Sequence, residues 1–163
     1  MKSLQFAIHY DECAVDELSS AEQQLVKTAM EATLHSYSPY SRFRVGAAVL
    51  MDDGRVVTGS NQENSAYPVT LCAERVALFS AAHQYPDTPV VAIALAAQDA
   101  GGFTSRPVTP CGSCRQVLAE VEQRFRRPIR ILMYGTSGVW TTVGVVNLLP
   151  LAFDSILNQD SQV

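Results

Sequence analysis

No stretch of these 163 residues approaches the ~20 consecutive apolar positions that a membrane-spanning helix needs. The first 18 residues lack the apolar core of a secretory leader and carry Asp11, Glu12, Asp16 and Glu17 instead. The expectation is a cytoplasmic protein with no membrane partner. Lysine and arginine never run longer than a pair, and the net charge is −4. That balance disfavours a protein that grips nucleic acid chiefly by neutralising phosphates. Internal repeats, linkers and low-complexity tracts are also missing. One domain over 19–163 is therefore expected, preceded by an extension over 1–18 without sustained periodicity. Wholesale disorder is excluded by 47% hydrophobic against 17% charged residues. Cysteine is scarce, with four in the chain. A reducing cytosol makes these poor material for a disulfide framework, so metal binding or nucleophilic chemistry is the better reading.

From Ser19 the pattern turns helical. Ser19 or Ser20 can cap the helix, Glu22 lies in its first turn, and Leu25, Val26, Ala29, Met30, Thr33 and Leu34 share a face. The Pro39 region stops it. Val45–Leu50 and Arg55–Gly59 read as strands joined by Asp52-Asp53-Gly54, a hairpin signal in which Gly54 takes positive φ without strain. A loop over 61–70 precedes a second helix, from near Cys72 to about His83. Val90–Ala97 is an unbroken apolar run, as in a strand buried on both faces. A loop over 99–109 leads to a third helix after Pro110, ending near Phe125. Ile129–Met133 reads as another buried strand and Val145–Phe153 as a short helix followed by a break. Strands alternating with helices predict an α/β layered domain.

Two helix starts carry the chemistry. Pro110-Cys111-Gly112-Ser113-Cys114 sets two sulfurs on one side of a helix start, and Cys72-Ala73-Glu74-Arg75 opens another. The partial positive charge of a helix N-terminus favours the thiolate that zinc requires. Three thiolates leave one tetrahedral position open for water, the arrangement of a catalytic zinc. Glu74, two residues from its cysteine, suits a proton carrier better than a ligand. A C-x-x-C pair alone reads equally as a redox pair or half of a structural knuckle. Cys13, His9, His35 or His83 could close such a knuckle. The conjunction of Cys-Ala-Glu with Pro-Cys-x-x-Cys favours the zinc deaminase pattern.

With those residues in place, the chain resembles the cytidine deaminase family in its short-subunit, three-cysteine form, over about Ser19 to Phe153. The matching blocks run from Tyr37 to Ala48, Gly59 to Asn64, Cys72 to Arg75, Pro110 to Val117 and Leu148 to Phe153. The resemblance implies a three-layer α/β/α fold around a mixed five-stranded sheet. It implies hydrolysis of cytidine and deoxycytidine, with one Zn²⁺ per subunit held by Cys72, Cys111 and Cys114. A zinc-bound hydroxide would attack carbon 4 of the pyrimidine while Glu74 shuttles protons to the ring nitrogen and the departing amino group. By the same resemblance Asn61 and Glu63 hold the ribose 3′-hydroxyl, Phe43 packs on the base, and the peptide groups of Ala73 and Cys111 bind the ring's polar edge. Arg75, with Arg115 as a second candidate, would temper the negative charge of the thiolates. The family's short form is a homotetramer, in which Tyr67 and Phe153 match aromatics that reach a neighbouring subunit's site. Pro68 departs from the pattern, standing where glycine is common.

Three rivals remain: a blasticidin-type deaminase, a nucleic-acid-editing deaminase and a catalytically silent zinc module. The Asn61-x-Glu63 element speaks against the first. Cysteine in place of histidine before Ala73-Glu74 and the acidic balance speak against the second, and Glu74 beside Cys72 against the third.

Overall fold

The computed structural model describes residues 1–153; the last ten residues of the expected 19–163 domain lie outside the described range. The described strands and α-helices are β1 (Asp11–Cys13), α1 (Ser20–Ala32), β2 (Arg44–Met51), β3 (Val56–Ser60), α2 (Ala73–Gln84), β4 (Val90–Asp99), β5 (Gly102–Phe103), α3 (Gly112–Phe125), β6 (Arg130–Gly135) and β7 (Gly138–Val143). The sheet order is β1-β7-β6-β4-β2-β3, with β5 paired to β4. All pairings are antiparallel except β4 with β6, whose parallel register needs a crossover, and α3 supplies it.

Alternation along each strand splits the core in two. Val49, Ile93, Leu95, Ile131 and Met133 face α2 and α3, together with Leu78 and Leu118. Ala48, Ala94, Ala96, Leu132 and Val139 face the other way, against Leu25, Val26 and Ala29 of α1. These are the three layers expected, with α1 on one side of the sheet and α2 and α3 on the other.

The sheet holds seven strands rather than five. Asp11, Glu12 and Cys13 of the extension pair with Thr141, Trp140 and Val139, so the extension adds an edge strand. Residues 99–109 are not wholly loop either. Gly102, at φ +106°, turns Phe103 back onto Gln98. Both additions are two or three residues long, too short for a pattern of period two to register. Strand β7 likewise lay outside the expected elements. Leu34 is a further correction: it is 68% exposed rather than on the buried face. After Ala32 the chain tightens into a 3₁₀ turn over Thr33–His35, which rotates Leu34 outward while Thr33 stays buried.

Two glycines set how closely helices approach the sheet. A Cβ on Gly46 would lie 2.1 Å from the Ala29 carbonyl oxygen of α1. One on Gly59 would lie 2.5 Å from both the Ala73 oxygen and the Ala77 nitrogen of α2. Because backbone cannot yield as a side-chain tip can, Gly59→Ala is expected to destabilise the fold by about 2 kcal/mol or more. Urea unfolding measures this; an unchanged midpoint would show that α2 shifts freely, and with it Cys72 and Glu74.

The α1 start is a capping box. Ser19 N–H and Oγ donate to Glu22 Oε2 at 3.0 and 2.7 Å, and Glu22 N–H returns a bond to Ser19 Oγ at 3.3 Å. Arg130 Nε of β6 lies 3.0 Å from Glu22 Oε1, tying the helix to the sheet. Burial alone would raise the Glu22 carboxyl, but the Ser19 bonds and the Arg130 guanidinium outweigh it and hold the group below its ordinary 4.5. A depressed carboxylate stabilises the fold above its unfolded-state pKa and loses that contribution as pH falls through the folded one. Glu22→Gln should therefore cost roughly 1 kcal/mol near neutral pH, with the gap closing as pH falls through and below the ordinary carboxylate range. Thermal melts of both chains across that range test the sign.

Candidate metal centre

The helices α2 and α3 start side by side on one face of the sheet. Cys72 is the N-cap of α2 and Cys111 the N-cap of α3, each in extended backbone without a side-chain cap, and Cys114 lies in the first turn of α3. Uncapped amide groups and aligned peptide dipoles thus converge where negative charge would collect. The three Sγ atoms lie within 4.8 Å of one another, with Cys72 to Cys111 at 3.7 Å and Cys111 to Cys114 at 3.5 Å. All are free thiols, and those separations far exceed a disulfide bond. They match the edge of about 3.8 Å that a tetrahedron with Zn–S bonds near 2.3 Å requires. The residues present fit a zinc ion.

Neither Cys13 nor His9, His35 or His83 joins this group among the described residues. Cys13 instead points its thiol at the Val139 carbonyl, 3.8 Å away. Among the described residues, the closed four-ligand knuckle therefore has no fourth ligand. Within the cluster, the Cys114 thiol draws Cys72 down to about 5, helped by Arg75 and Cys111 against the opposing effect of burial. Cys114, buried in α3, is pushed upward by the same pairing with Cys72 and by desolvation.

Glu74 is 4% exposed in the first turn of α2. Burial pushes its carboxyl above the usual range and the charge on Cys72 adds to this, while its own backbone N–H and Cys114 pull the other way. Arg75 lays Nη2 3.9 Å from Cys72 Sγ and 3.2 Å from the Thr70 carbonyl, with Nε buried and unpartnered. Arg115 goes elsewhere: its Nε donates to the Pro110 carbonyl and Nη1 to the Leu148 carbonyl, both at 2.8 Å. Of the two arginines, Arg75 is the one that touches a cysteine, and Arg115 pins the chain after β7 to the start of α3.

The loop residues are tied into their surroundings. Asn61 Oδ1 accepts from the Ser36 hydroxyl at 2.6 Å and the Val45 N–H at 2.8 Å, and Nδ2 donates to the Phe43 carbonyl at 2.9 Å. One amide N–H of Asn61 has no acceptor among the described residues. Glu63 Oε2 accepts the N–H groups of Tyr40 and Ser41 at 2.8 and 3.2 Å. The Ser41 hydroxyl and those two amides hold the Glu63 carboxyl below its usual range. Sequence reasoning missed Ser36, Tyr40 and Ser41 as partners, because each bonds across 22 to 25 residues.

Tyr40, Ser41, Glu63, Tyr67 and Thr70 line a cavity of about 300 Å³. The Tyr40 and Tyr67 rings meet edge to face at 5.9 Å. Phe43 is half-buried before β2 and Ala73 fully buried at the start of α2. Tyr67 and Phe153 are 70% and 77% exposed. Pro68 sits in a short 3₁₀ turn over Tyr67–Val69. Gln116 holds the Phe153 backbone at both ends, donating to its carbonyl at 2.8 Å and accepting its N–H at 3.1 Å.

Residues 19–127, which contain all three cysteines, match the cytidine and deoxycytidylate deaminase zinc-binding region. The chain belongs to the cytidine deaminase family. It is 46% identical over 131 residues to the cytidine deaminase of Halalkalibacterium halodurans, covering 80% of this chain and 92% of that one. The crystal structure of cytidine deaminase from Burkholderia pseudomallei superposes with a TM-score of 0.69 at 38% identity, covering 80% and 97% of the two chains. That of the Mycobacterium tuberculosis cytidine deaminase gives 0.63 at 38% identity, covering 82% and 98%. The cytidine deaminase match leaves residues 1–18 outside the family region.

Proposed function

We propose that this chain hydrolyses cytidine and deoxycytidine to uridine and deoxyuridine, releasing ammonia, as a zinc-dependent enzyme of pyrimidine salvage. The observation that carries the reading is the set of three sulfurs at two adjacent helix starts with a buried glutamate beside them. Cys72, Cys111 and Cys114 would hold the zinc. When bound, zinc leaves one position for water and makes that water acidic enough to react near neutral pH.

The remaining work falls to side chains. Glu74 accepts one proton from the water at its carboxylate and delivers it to ring nitrogen 3. It then passes the second to the amino nitrogen, so that ammonia departs as carbon 4 becomes a carbonyl. Water's oxygen stays on the ring and its two hydrogens end on nitrogen, which balances the reaction. Burial serves this role, because a carboxyl poised above its usual range takes and returns a proton readily. Arg75 tempers the thiolate charge, and the cluster's other arginine candidate, Arg115, acts by fixing the α3 start. The remaining Asn61 amide N–H and the Glu63 carboxylate suit a sugar hydroxyl, which both accepts and donates. Phe43 and the Ala73 peptide complete the pocket for the base.

Tyr67 and Phe153 support a homotetramer with sites completed across subunits, since large exposed aromatics mark contact surfaces. Residues 19–163 form one catalytic domain, with 1–18 as its extension. A cluster of free thiols suits a reducing compartment and hence the cytoplasm. The deciding experiment incubates purified, zinc-loaded protein with cytidine and follows the ultraviolet change on conversion to uridine. Steady conversion is the expected result. Zinc-loaded protein that converts neither cytidine nor deoxycytidine would overturn the proposal.

A further inference from the structure

Residues ahead of β1 take no part in the zinc site, yet they carry an exposed apolar stripe. Leu4, Phe6, Ile8 and Tyr10 are 75%, 58%, 58% and 52% exposed. They alternate with Ser3, Gln5, Ala7 and His9, so the extension is periodic after all, with the period of a strand. The stripe leads directly into β1, which pairs with β7 on one edge and has no strand on the other among the described residues. His9 anchors the junction: its N–H donates to Asn147 Oδ1 at 3.2 Å, and its carbonyl accepts from the Thr142 hydroxyl at 2.8 Å. Tyr10 packs on the Trp140 ring at 5.2 Å. Upstream, residues 2–8 make no hydrogen bond, ion pair or ring contact with the rest of the described chain.

An open edge preceded by a segment with the alternation of a strand is a template for another strand. The sequence singles out its own copy as that strand. Laid antiparallel to itself about Ala7, the segment sets Lys2 opposite Glu12, Leu4 opposite Tyr10 and Phe6 opposite Ile8, each pair occurring twice by symmetry. Neighbouring centres spoil this match. A centre on Phe6 puts Lys2 against Tyr10, and one on Ile8 puts Leu4 against Glu12. Centres on Gln5 or His9 put Lys2 against Ile8 or Phe6 against Glu12.

We propose that residues 2–12 pair antiparallel with the same residues of a second copy of this chain, centred on Ala7, joining two subunits edge to edge. The contact lies in the extension and does not depend on the reading of the zinc site.

The test uses the full-length, zinc-loaded protein carrying Ala7→Cys, mildly oxidised and run on a non-reducing gel. Across the two-fold axis the two introduced thiols face each other at directly opposed strand positions, and a linked dimer is expected as the main band. Ser3→Cys should stay unlinked, because its two copies would lie about 26 Å apart at 3.3 Å per residue. Adding Phe6→Asp and Ile8→Asp to Ala7→Cys should remove the link. Lys2→Glu should weaken it about five-fold, and Glu12→Lys in the same chain should restore it. Absence of the Ala7→Cys link, equal linking by Ser3→Cys, or failure of the charge swap to restore linking would overturn the proposal.

Discussion

In a Glu74→Gln variant, turnover of cytidine is expected to fall by roughly 10²–10⁴-fold, the range that a positioned proton carrier contributes. Glutamine keeps the shape of the side chain and fills the same buried volume, so neither the α2 start nor Cys72 should move. What it lacks is a group that can take a proton from water and hand it to the ring and the amino group. Zinc content should equal the parent's, since Glu74 is not among the clustered ligand atoms. Thermal stability should match or exceed the parent's, because removing a buried ionisable group from a functional site relieves a desolvation cost. Steady-state kinetics, metal analysis and a melt on one preparation check all three. A variant that kept its zinc and its parental rate would sink the proton-carrier role. One that lost zinc would instead make Glu74 part of the metal site.

Cys114→Ser is expected to abolish both metal and activity. Cys114 is fully buried, and its sulfur sits 3.5 Å from that of Cys111. A serine hydroxyl stays protonated near neutral pH and is a poor zinc ligand, so two thiolates remain where three are needed. Zinc should drop from about one per subunit to under a tenth of that, with activity reduced more than 100-fold, beyond the loss typical of altering a ligand's supporting neighbour. Because a metal bound to the folded state stabilises it by mass action, a chelator should lower the parent's melting temperature and leave the variant's unchanged. Cys114→Ala gives the same prediction without placing a hydroxyl in a buried position. Cys13→Ser serves as the control, since that thiol faces the Val139 carbonyl, and it should keep its zinc. Loss of zinc on changing Cys13 would mean that the site closes with a fourth ligand.

Much of the framework was legible in the chain because local chemistry writes it. Ser19 and Glu22 announce the start of α1 through a reciprocal cap within four residues. Asp52-Asp53-Gly54 announces the β2–β3 hairpin, with Gly54 at φ +87°. The apolar run from Val90 gives the central strand β4, buried on both faces. Less legible were the sheet's margins. Strands β1 and β5 span three and two residues, and they exist only because β7 and β4 offer them edges. The choice between Arg75 and Arg115 was equally hidden: both follow a cysteine in a helix's first turn, and only the packing shows which guanidinium reaches sulfur.

The sequence by itself singled out Cys72, Cys111 and Cys114 as candidate metal donors, with a carboxylate, Glu74, two residues from the first of them. Cap positions and C-x-x-C spacing are local, and local spacing survives in one dimension. What the tertiary structure decided is that sulfurs 39 residues apart meet at 3.7 Å. It also decided that Asn61 spends most of its amide on Ser36, Phe43 and Val45. Both follow from long-range pairing. The parallel β4–β6 register and the shared core face of α2 and α3 bring two helix starts together. No period along the chain encodes that meeting, because it depends on which strands become neighbours rather than on what lies next in sequence.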